Sequence, residues 1–266
     1  MFYRRMDLHK LYKTALLAAT GQASDNWLFL LNYSLRLLRV LVLLALWRII
    51  LAGRGPVGGM SLDQVLTYTL VAAAFADQLP PRTALQEALW DGSIANRFLR
   101  PVNLLAQFAA ESVGLWAFNF CFFSLPLLAG AYWLGVNPWP ASPAAGLAFL
   151  FSLTLSIGVG LALEVWFAAL MIRMDGALHS VLKLREAMVP LLSGAFLPLA
   201  LMPWGLGEIF TWLPFAAAAS APLRLYTGSG EVGPLLLLQA VWCLLLWGVA
   251  RLLWSREREN LVIHGG

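Results

Sequence analysis

Six long apolar segments limit what this chain can fold into. They lie at about residues 31–52, 62–79, 104–134, 146–172, 186–201 and 232–254. A helix needs about 20 apolar residues to cross a hydrocarbon core of about 30 Å, and these segments approach or exceed that length. Only 12% of the residues are charged and 60% are hydrophobic, which is too little polar surface to cover such a chain in water. We therefore expect an all-α integral membrane protein, with residues 1–266 forming one transmembrane domain of six helices.

The distribution of positive charge predicts the orientation of these helices. Lys and Arg are concentrated in four segments, namely residues 1–27, 80–103, 173–185 and the tail from 251. The alternate connections hold only Arg54 and Arg224. Because cytoplasmic segments are enriched in Lys and Arg, both termini are expected in the cytoplasm. The net charge of +4 follows this pattern and gives no reason to expect nucleic-acid binding.

Two further segments are expected to lie at the membrane without crossing it. Residues 1–27 combine basic residues with an apolar side, which is typical of an interfacial elbow helix, although a disordered basic tail is the alternative. Residues 202–231 are too apolar for a plain loop and too rich in Pro and Gly for a span. They predict two short re-entrant helices, about 206–213 and 215–226, in the outer leaflet.

Ionisable residues inside the spans are candidates for an interhelical contact or a translocation path. Glu164 follows Gly160 and Ser156 at four-residue spacing, so the three share one helix face. Small residues at this spacing allow another helix to approach closely. Arg36 and Arg39 in the first span are candidate partners of Glu164. Alternatively, both arginines reach the cytoplasmic headgroups, and Glu164 is protonated or faces water.

A polar, turn-rich stretch, WDGSIANRFLRPVN, separates the second and third spans. Gly92 is suited to end one short helix and Ser93 to begin the next, which predicts two helices bent at residues 91–93. Ile94 and Phe98 are expected to meet another protein, whereas an amphipathic linker is the plainer interpretation. Just beyond, Gln107 and Glu111 are expected to face either a cavity mouth or the membrane interface.

The sequence contains no recognisable catalytic, nucleotide-binding or metal-binding set. It lacks a G-x-x-x-x-G-K-[ST] loop and an H-E-x-x-H pair, and its two cysteines, Cys121 and Cys243, lie in apolar runs. Cysteines in such runs usually behave as small hydrophobic residues. We therefore expect no enzyme activity, no metal and no cofactor in this chain.

Two stretches resemble the ABC type-2 export permeases. WDGSIANRFLRP matches the family pattern G-x-I-x-x-x-x-L-R-P, and the terminal Gly265-Gly266 is similar to the tail of one branch. SGAFLPLALMPWGLGEIFTWLPF, followed by APLRLYTG, is similar to a second family stretch. The resemblance implies a permease subunit of an ATP-driven exporter in the inner (plasma) membrane. It would move a small amphiphilic or toxic compound, such as a drug, lipid or peptide, out of the cell.

The resemblance also implies roles for individual segments and partners. Residues 82–100 would form the coupling helix that docks on the ATPase, residues 1–27 the elbow and residues 202–231 the outer re-entrant helices. The implied coupling residues are Leu89, Asp91, Gly92, Ser93, Ile94, Arg97 and Arg100. The implied partners are a separate ATP-binding cassette subunit carrying ATP and Mg, a second permease of the same or a homologous chain, and membrane lipids.

Two other functions compete with this one. An ion-coupled secondary transporter would use Glu164 as its proton or cation site and would need no ATPase. A membrane scaffold without transport would tolerate the loss of Glu164 and disruption of the bend.

Overall fold

The computed structural model describes residues 2–24, 26–100, 102–174 and 178–264, and side chains within 8–22, 29–100, 102–174 and 179–257. These residues form helices joined by turns and contain no strand. Pro101 and Gly265-Gly266, which contribute to the resemblance, lie outside the described residues.

The first half of the described chain begins with a long helical region and ends with two short helices. Its helices are α1 (Phe2–Ser24), α2 (Asn26–Leu51), α3 (Leu62–Ala74), α4 (Leu85–Trp90) and α5 (Ile94–Phe98). A capping box starts α3, because Ser61 and Gln64 exchange side-chain-to-backbone hydrogen bonds. The predicted second span, 62–79, is too long: α3 ends at Ala74 and turns follow it.

Two long helical stretches follow. The first comprises α6 (Leu104–Asn119), a π-helical turn (Phe120–Ser124), α7 (Leu125–Ala129) and a 3-10 turn (Gly130–Tyr132). The second is α8 (Pro143–Arg173), which starts at the N-cap Ser142 with Pro at the first helical position. Both agree closely with the predicted third and fourth spans.

The fifth helix of the prediction lies earlier in the chain than expected. The structure has α9 at Leu178–Ser193 instead of 186–201. Gly194 follows it with φ of +77°, a left-handed conformation that ends a helix readily only at glycine. The charges of Lys183 and Arg185 marked this region as a loop in the sequence, although both residues are helical.

The last part of the chain holds three short helices and one long helix. They are α10 (Leu206–Thr211), α11 (Pro214–Ala218), α12 (Ser220–Tyr226) and α13 (Val232–His264). The prediction of two short helices is corrected to three, because the backbone breaks at Ala219 between α11 and α12. The last helix starts at the predicted residue and continues ten residues beyond the predicted end at 254.

Three stretches are long and apolar enough to cross a membrane. Within the described residues they are Leu104–Tyr132, Pro143–Arg173 and Val232–Glu257. The remaining predicted spans correspond to α2, with three arginines, and to α3 and α9, which have 13 and 16 residues. The six-span topology therefore stays a prediction.

Helix α8 lies at the centre of the packing. It contacts α4, α9, α11, α12 and α13, while α3 packs against α2, α7 and α12. The N-terminal helix packs mainly on α6, where Gly114 faces the backbone of Ala15 so closely that a Cβ would overlap the Ala15 carbonyl. This arrangement brings the segment after α3 against the middle of α8, where the candidate site lies.

Candidate functional site

The small residues of α8 form a buried stripe that other segments approach closely. Ser152, Ser156 and Gly160 are all buried. Ser156 donates a hydrogen bond to the carbonyl of Ala218 at the end of α11. At Gly160, a Cβ would overlap the ring of Pro81. The predicted approach of another helix is found at Ser156, where the end of α11 lies. At Gly160 the prediction is corrected, because the residue that approaches is Pro81 of the connection between α3 and α4.

Glu164 ends this stripe in a buried ion pair with Arg185 of α9. Only 1% of Glu164 and 4% of Arg185 is exposed. Oε2 of the carboxylate accepts hydrogen bonds from the Thr83 backbone N at 3.2 Å and the Thr83 hydroxyl at 3.1 Å. Each carboxylate oxygen therefore has a partner, as a charge at this depth requires.

The predicted pairing of Glu164 with Arg36 or Arg39 is wrong. Arg36 pairs instead with Asp77, at 3.2 Å, and Arg39 lies over the ring of Phe196, 5.0 Å from its centre. Helix α9 packs directly on α8, so Arg185 reaches Glu164. The sequence did not reveal this partner, since Arg185 had been assigned to a cytoplasmic connection.

The same ion pair is bonded to the segment that leads into α4. Arg185 donates to the carbonyl of Pro81 at 3.4 Å, and Gln86 of α4 donates to the backbone carbonyl of Glu164 at 3.4 Å. At the other end of α4, the Trp90 ring lies 5.3 Å from the His179 ring of α9. Helix α4 is therefore attached to both α8 and α9.

The predicted bend at residues 91–93 is confirmed. Helices α4 and α5 meet there, and Gly92 has φ of +75°. The Ser93 side chain caps no helix, contrary to expectation; its backbone N instead donates to Asp91 at 2.9 Å. Hydrogen bonds from the Ser93 side chain and backbone lower the pKa of Asp91, so its carboxylate is charged at neutral pH.

The bend has an exposed side and a buried side. Trp90 and Phe98 are about half exposed, and Leu99 is 83% exposed. Ile94, at 6% exposure, is buried, as is Leu89. The expectation that Ile94 meets another protein is therefore wrong, because its side chain packs in the core with Leu89 and supports the bend from within.

The second helix of the bend is fixed to α6. Arg97 forms an ion pair with Glu111, and Arg100 lies 3.8 Å from the same carboxylate. Gln107 donates to the backbone carbonyls of Arg97, at 3.3 Å, and Val102, at 2.8 Å. Gln107 and Glu111 therefore bind the bend, which neither predicted alternative described.

A cavity of about 480 Å³ lies between α2, α3, α6 and α9. Its polar lining residues include Arg36, Arg39, Asp77 and Arg82. Phe123, in the π-helical turn, also lines the cavity and lies under the Arg36 guanidinium, which is 4.4 Å from the ring centre. Arg36 and Arg39 were candidate site residues in the sequence, but the sequence did not predict that Arg82 lines the same cavity.

A buried glutamine, which was not among the predicted site residues, binds the short helix α11 to the long helices α8 and α13. Gln239 of α13 donates to the carbonyl of Ala217, at 2.7 Å, and accepts from Ser152 at 2.6 Å. Gln239 is the one amide side chain in the predicted span 232–254, and this isolation in an apolar segment could have identified it in the sequence. A polar residue inside a span usually has a partner of this kind.

Within the described residues, no group of three or more His, Cys, Asp or Glu side chains could hold a metal ion. The contacts above join the helices of an all-α, multi-pass membrane protein.

Comparison with protein families identifies the chain more closely. Residues 37–265 match a family model described as ABC-2 family transporter protein, so the chain belongs to that family. It is a membrane-embedded permease of the ABC transporters, and permeases of this family work with ATP-binding cassette subunits. Searches of curated proteins and of solved structures found no match.

Proposed function

We propose that the chain is the permease subunit of an ATP-driven exporter that moves a small amphiphilic or toxic compound out of the cell. It crosses the inner (plasma) membrane six times, with both termini in the cytoplasm. A separate ATP-binding cassette subunit binds ATP and Mg, and a second permease, of the same or a homologous chain, completes the path. Residues 1–27 serve as the elbow and 202–231 as the outer re-entrant segment.

The observation that carries this proposal is the exposed apolar surface of the bend, whose two short helices are held to α6, α8 and α9 by hydrogen bonds, ion pairs and a ring contact. Trp90, Phe98 and Leu99 leave large apolar side chains uncovered on and next to two short helices. On a segment that the charge distribution assigns to the cytoplasm, uncovered apolar surface of this kind is typical of protein interfaces. The charged Asp91 beside it adds a polar rim.

The contacts of the two short helices with α6, α8 and α9 allow a docked ATPase to move the long helices. Closure of the ATPase displaces the bend, and α4 transmits this displacement through Gln86 and Trp90 to α8 and α9. Pro190 of α9 and Arg82 also line the cavity, so movement of either segment changes its shape. In this scheme Glu164 and Arg185 are positioning residues that keep the moving parts together.

An ion-coupled secondary transporter that uses Glu164 is the alternative function. Such a site needs a carboxylate that exchanges its ion with water on each side of the membrane in turn. Glu164 is almost fully buried, and its oxygens are bonded to Arg185 and Thr83. These contacts favour a positioning role for Glu164.

The decisive experiment is co-expression of the chain with each candidate ATP-binding subunit from its source. A tag on this chain is used for purification, and vanadate-sensitive ATP hydrolysis is measured in lipid. We expect stoichiometric capture of one ATP-binding subunit, and the same gel reports any second permease. If no ATPase is captured where a known permease captures its own, the proposal fails and transport driven by an ion gradient is the next measurement.

The bend is tested by replacing Gly92 with Pro. Proline fixes φ near −65°, far from the +75° of Gly92, so the two short helices change their relative direction. Gly59→Pro is the matched control, because Gly59 has φ of +76° in the connection between α2 and α3. We expect Gly92→Pro to insert normally but to lose ATPase capture, while Gly59→Pro keeps it. Normal capture and transport in Gly92→Pro would refute the docking role.

A further inference from the structure

The cavity beside α2 carries an excess of positive charge. Of the described residues that line it, Arg36, Arg39 and Arg82 are cationic and Asp77 is anionic. Asp77 is occupied by Arg36 at 3.2 Å. Among the described side chains, Arg39 and Arg82 have no carboxylate within 4.0 Å. Two guanidinium groups therefore stay available for an anion.

The aromatic residues that line the cavity are suited to bind an apolar group. Trp116 and Phe123 line the cavity, and Phe196 lies under the Arg39 guanidinium, which is 5.0 Å from its ring centre. An aromatic ring beneath a guanidinium holds its plane while leaving its N–H donors free at the edge. The cavity thus combines fixed anion donors with an apolar surface, which matches a molecule that has an anionic end and an apolar body.

The backbone around the cavity points independently to a ligand site. Phe123 belongs to the π-helical turn Phe120–Ser124. Pro190, which also lines the cavity, interrupts the hydrogen bonding of α9. Single π-helical turns occur frequently at functional sites. Irregular backbone at membrane depth is tolerated where it is buried in protein or lines a cavity that admits water.

We infer that this cavity binds the anionic group of an amphiphile, with a phosphate or carboxylate between Arg39 and Arg82 and the apolar part against Trp116 and Phe123. The inference rests on the proposed transport function and narrows its substrate class to anionic amphiphiles. The anionic group has two possible sources, a phospholipid of the bilayer or a free amphiphile that enters from the cell.

The test is equilibrium binding of radiolabelled dodecyl phosphate to the full chain in phosphatidylcholine nanodiscs. Dodecyltrimethylammonium has the same tail and the opposite charge, and serves as the matched ligand control. We expect saturable binding of the phosphate only. Because no ATPase takes part in this assay, a failure of ATPase docking leaves the result unaffected, and the two proposals fail separately.

Three variants and one control locate the site. Arg39→Gln and Arg82→Gln should each weaken dodecyl phosphate binding about tenfold, as expected for loss of one charge-assisted hydrogen bond. Asp77→Asn should strengthen binding several-fold, because it frees Arg36 and adds one net positive charge to the cavity. Arg54→Gln, at an exposed position outside the cavity, should leave binding unchanged.

The opposite signs separate ligand binding from misfolding, since a misfolded variant does not gain affinity. Equal binding of the phosphate and the ammonium ligand, or unchanged affinity in Asp77→Asn and both arginine variants, would overturn the inference. Nanodiscs that also contain phosphatidylglycerol distinguish the source. Displacement of dodecyl phosphate by this lipid assigns the site to a phospholipid headgroup, and persistence of binding assigns it to a free amphiphile.

Discussion

Replacing Glu164 with Gln removes the negative charge that neutralises Arg185 inside the helix bundle. The guanidinium would then remain at a position that is 4% exposed, without an anionic partner. Removal of one partner from a buried ion pair typically costs about 3–5 kcal/mol. Glutamine still accepts the Thr83 hydrogen bonds, so we expect about 3 kcal/mol, or a change on the order of 10²-fold in the folding equilibrium.

The measurement is unfolding of the chain in mixed micelles, with sodium dodecyl sulfate as denaturant and circular dichroism as readout. Lys183→Gln is the matched control, because it breaks a Lys183–Glu186 pair on the same helix whose Lys is 60% exposed. An exposed pair at this spacing is worth about 0.2–0.5 kcal/mol. The double variant Glu164→Leu/Arg185→Met removes both charges and should be clearly more stable than the sum of the single changes predicts.

Two results would refute the reasoning. A loss of stability in Glu164→Gln no larger than that in Lys183→Gln would mean that the buried pair contributes nothing beyond an exposed one. Additive effects in the double variant would mean that Glu164 and Arg185 act independently.

Two further changes address the packing of the long helices. Gly160→Val should destabilise the fold by about 1–3 kcal/mol, because the valine side chain would overlap Pro81. The control is Gly233→Ala, which has open space around it and should change stability by under about 1 kcal/mol. Equal effects of the two changes in the same unfolding assay would contradict the close packing at Gly160. Gln239→Leu should cost about 1–3 kcal/mol, because it leaves the buried carbonyl of Ala217 without its donor, and unchanged unfolding would show that this hydrogen bond is dispensable.

The features that the sequence predicted well depend on local residue chemistry. The bend at Gly92 follows from a residue that adopts a left-handed backbone readily, and the structure has φ of +75° there. The buried stripe ending at Glu164 follows from helical periodicity and the small size of Gly160 and Ser156. Family membership rested on such local motifs and is confirmed by the match over residues 37–265.

The features that the sequence could not predict depend on partners far apart in the chain. Arg185 looked like a residue of a polar connection, because hydropathy counts its charge and contains no information about the carboxylate that neutralises it. The same reason displaced α9 by about eight residues. Ile94 was expected to meet another protein, although it belongs to the buried cluster that also contains Leu89.

The Glu164–Arg185 pair also has a consequence for how the chain is synthesised. The two residues are about 20 positions apart, so at roughly 5–20 residues per second the carboxylate emerges from the ribosome one to several seconds before its arginine. During that interval an acidic residue in lipid is unfavourable by roughly 2.5–3.5 kcal/mol. We therefore expect α8 and α9 to enter the membrane together as a helical hairpin, with the earlier helix held at the translocon until the later one neutralises it.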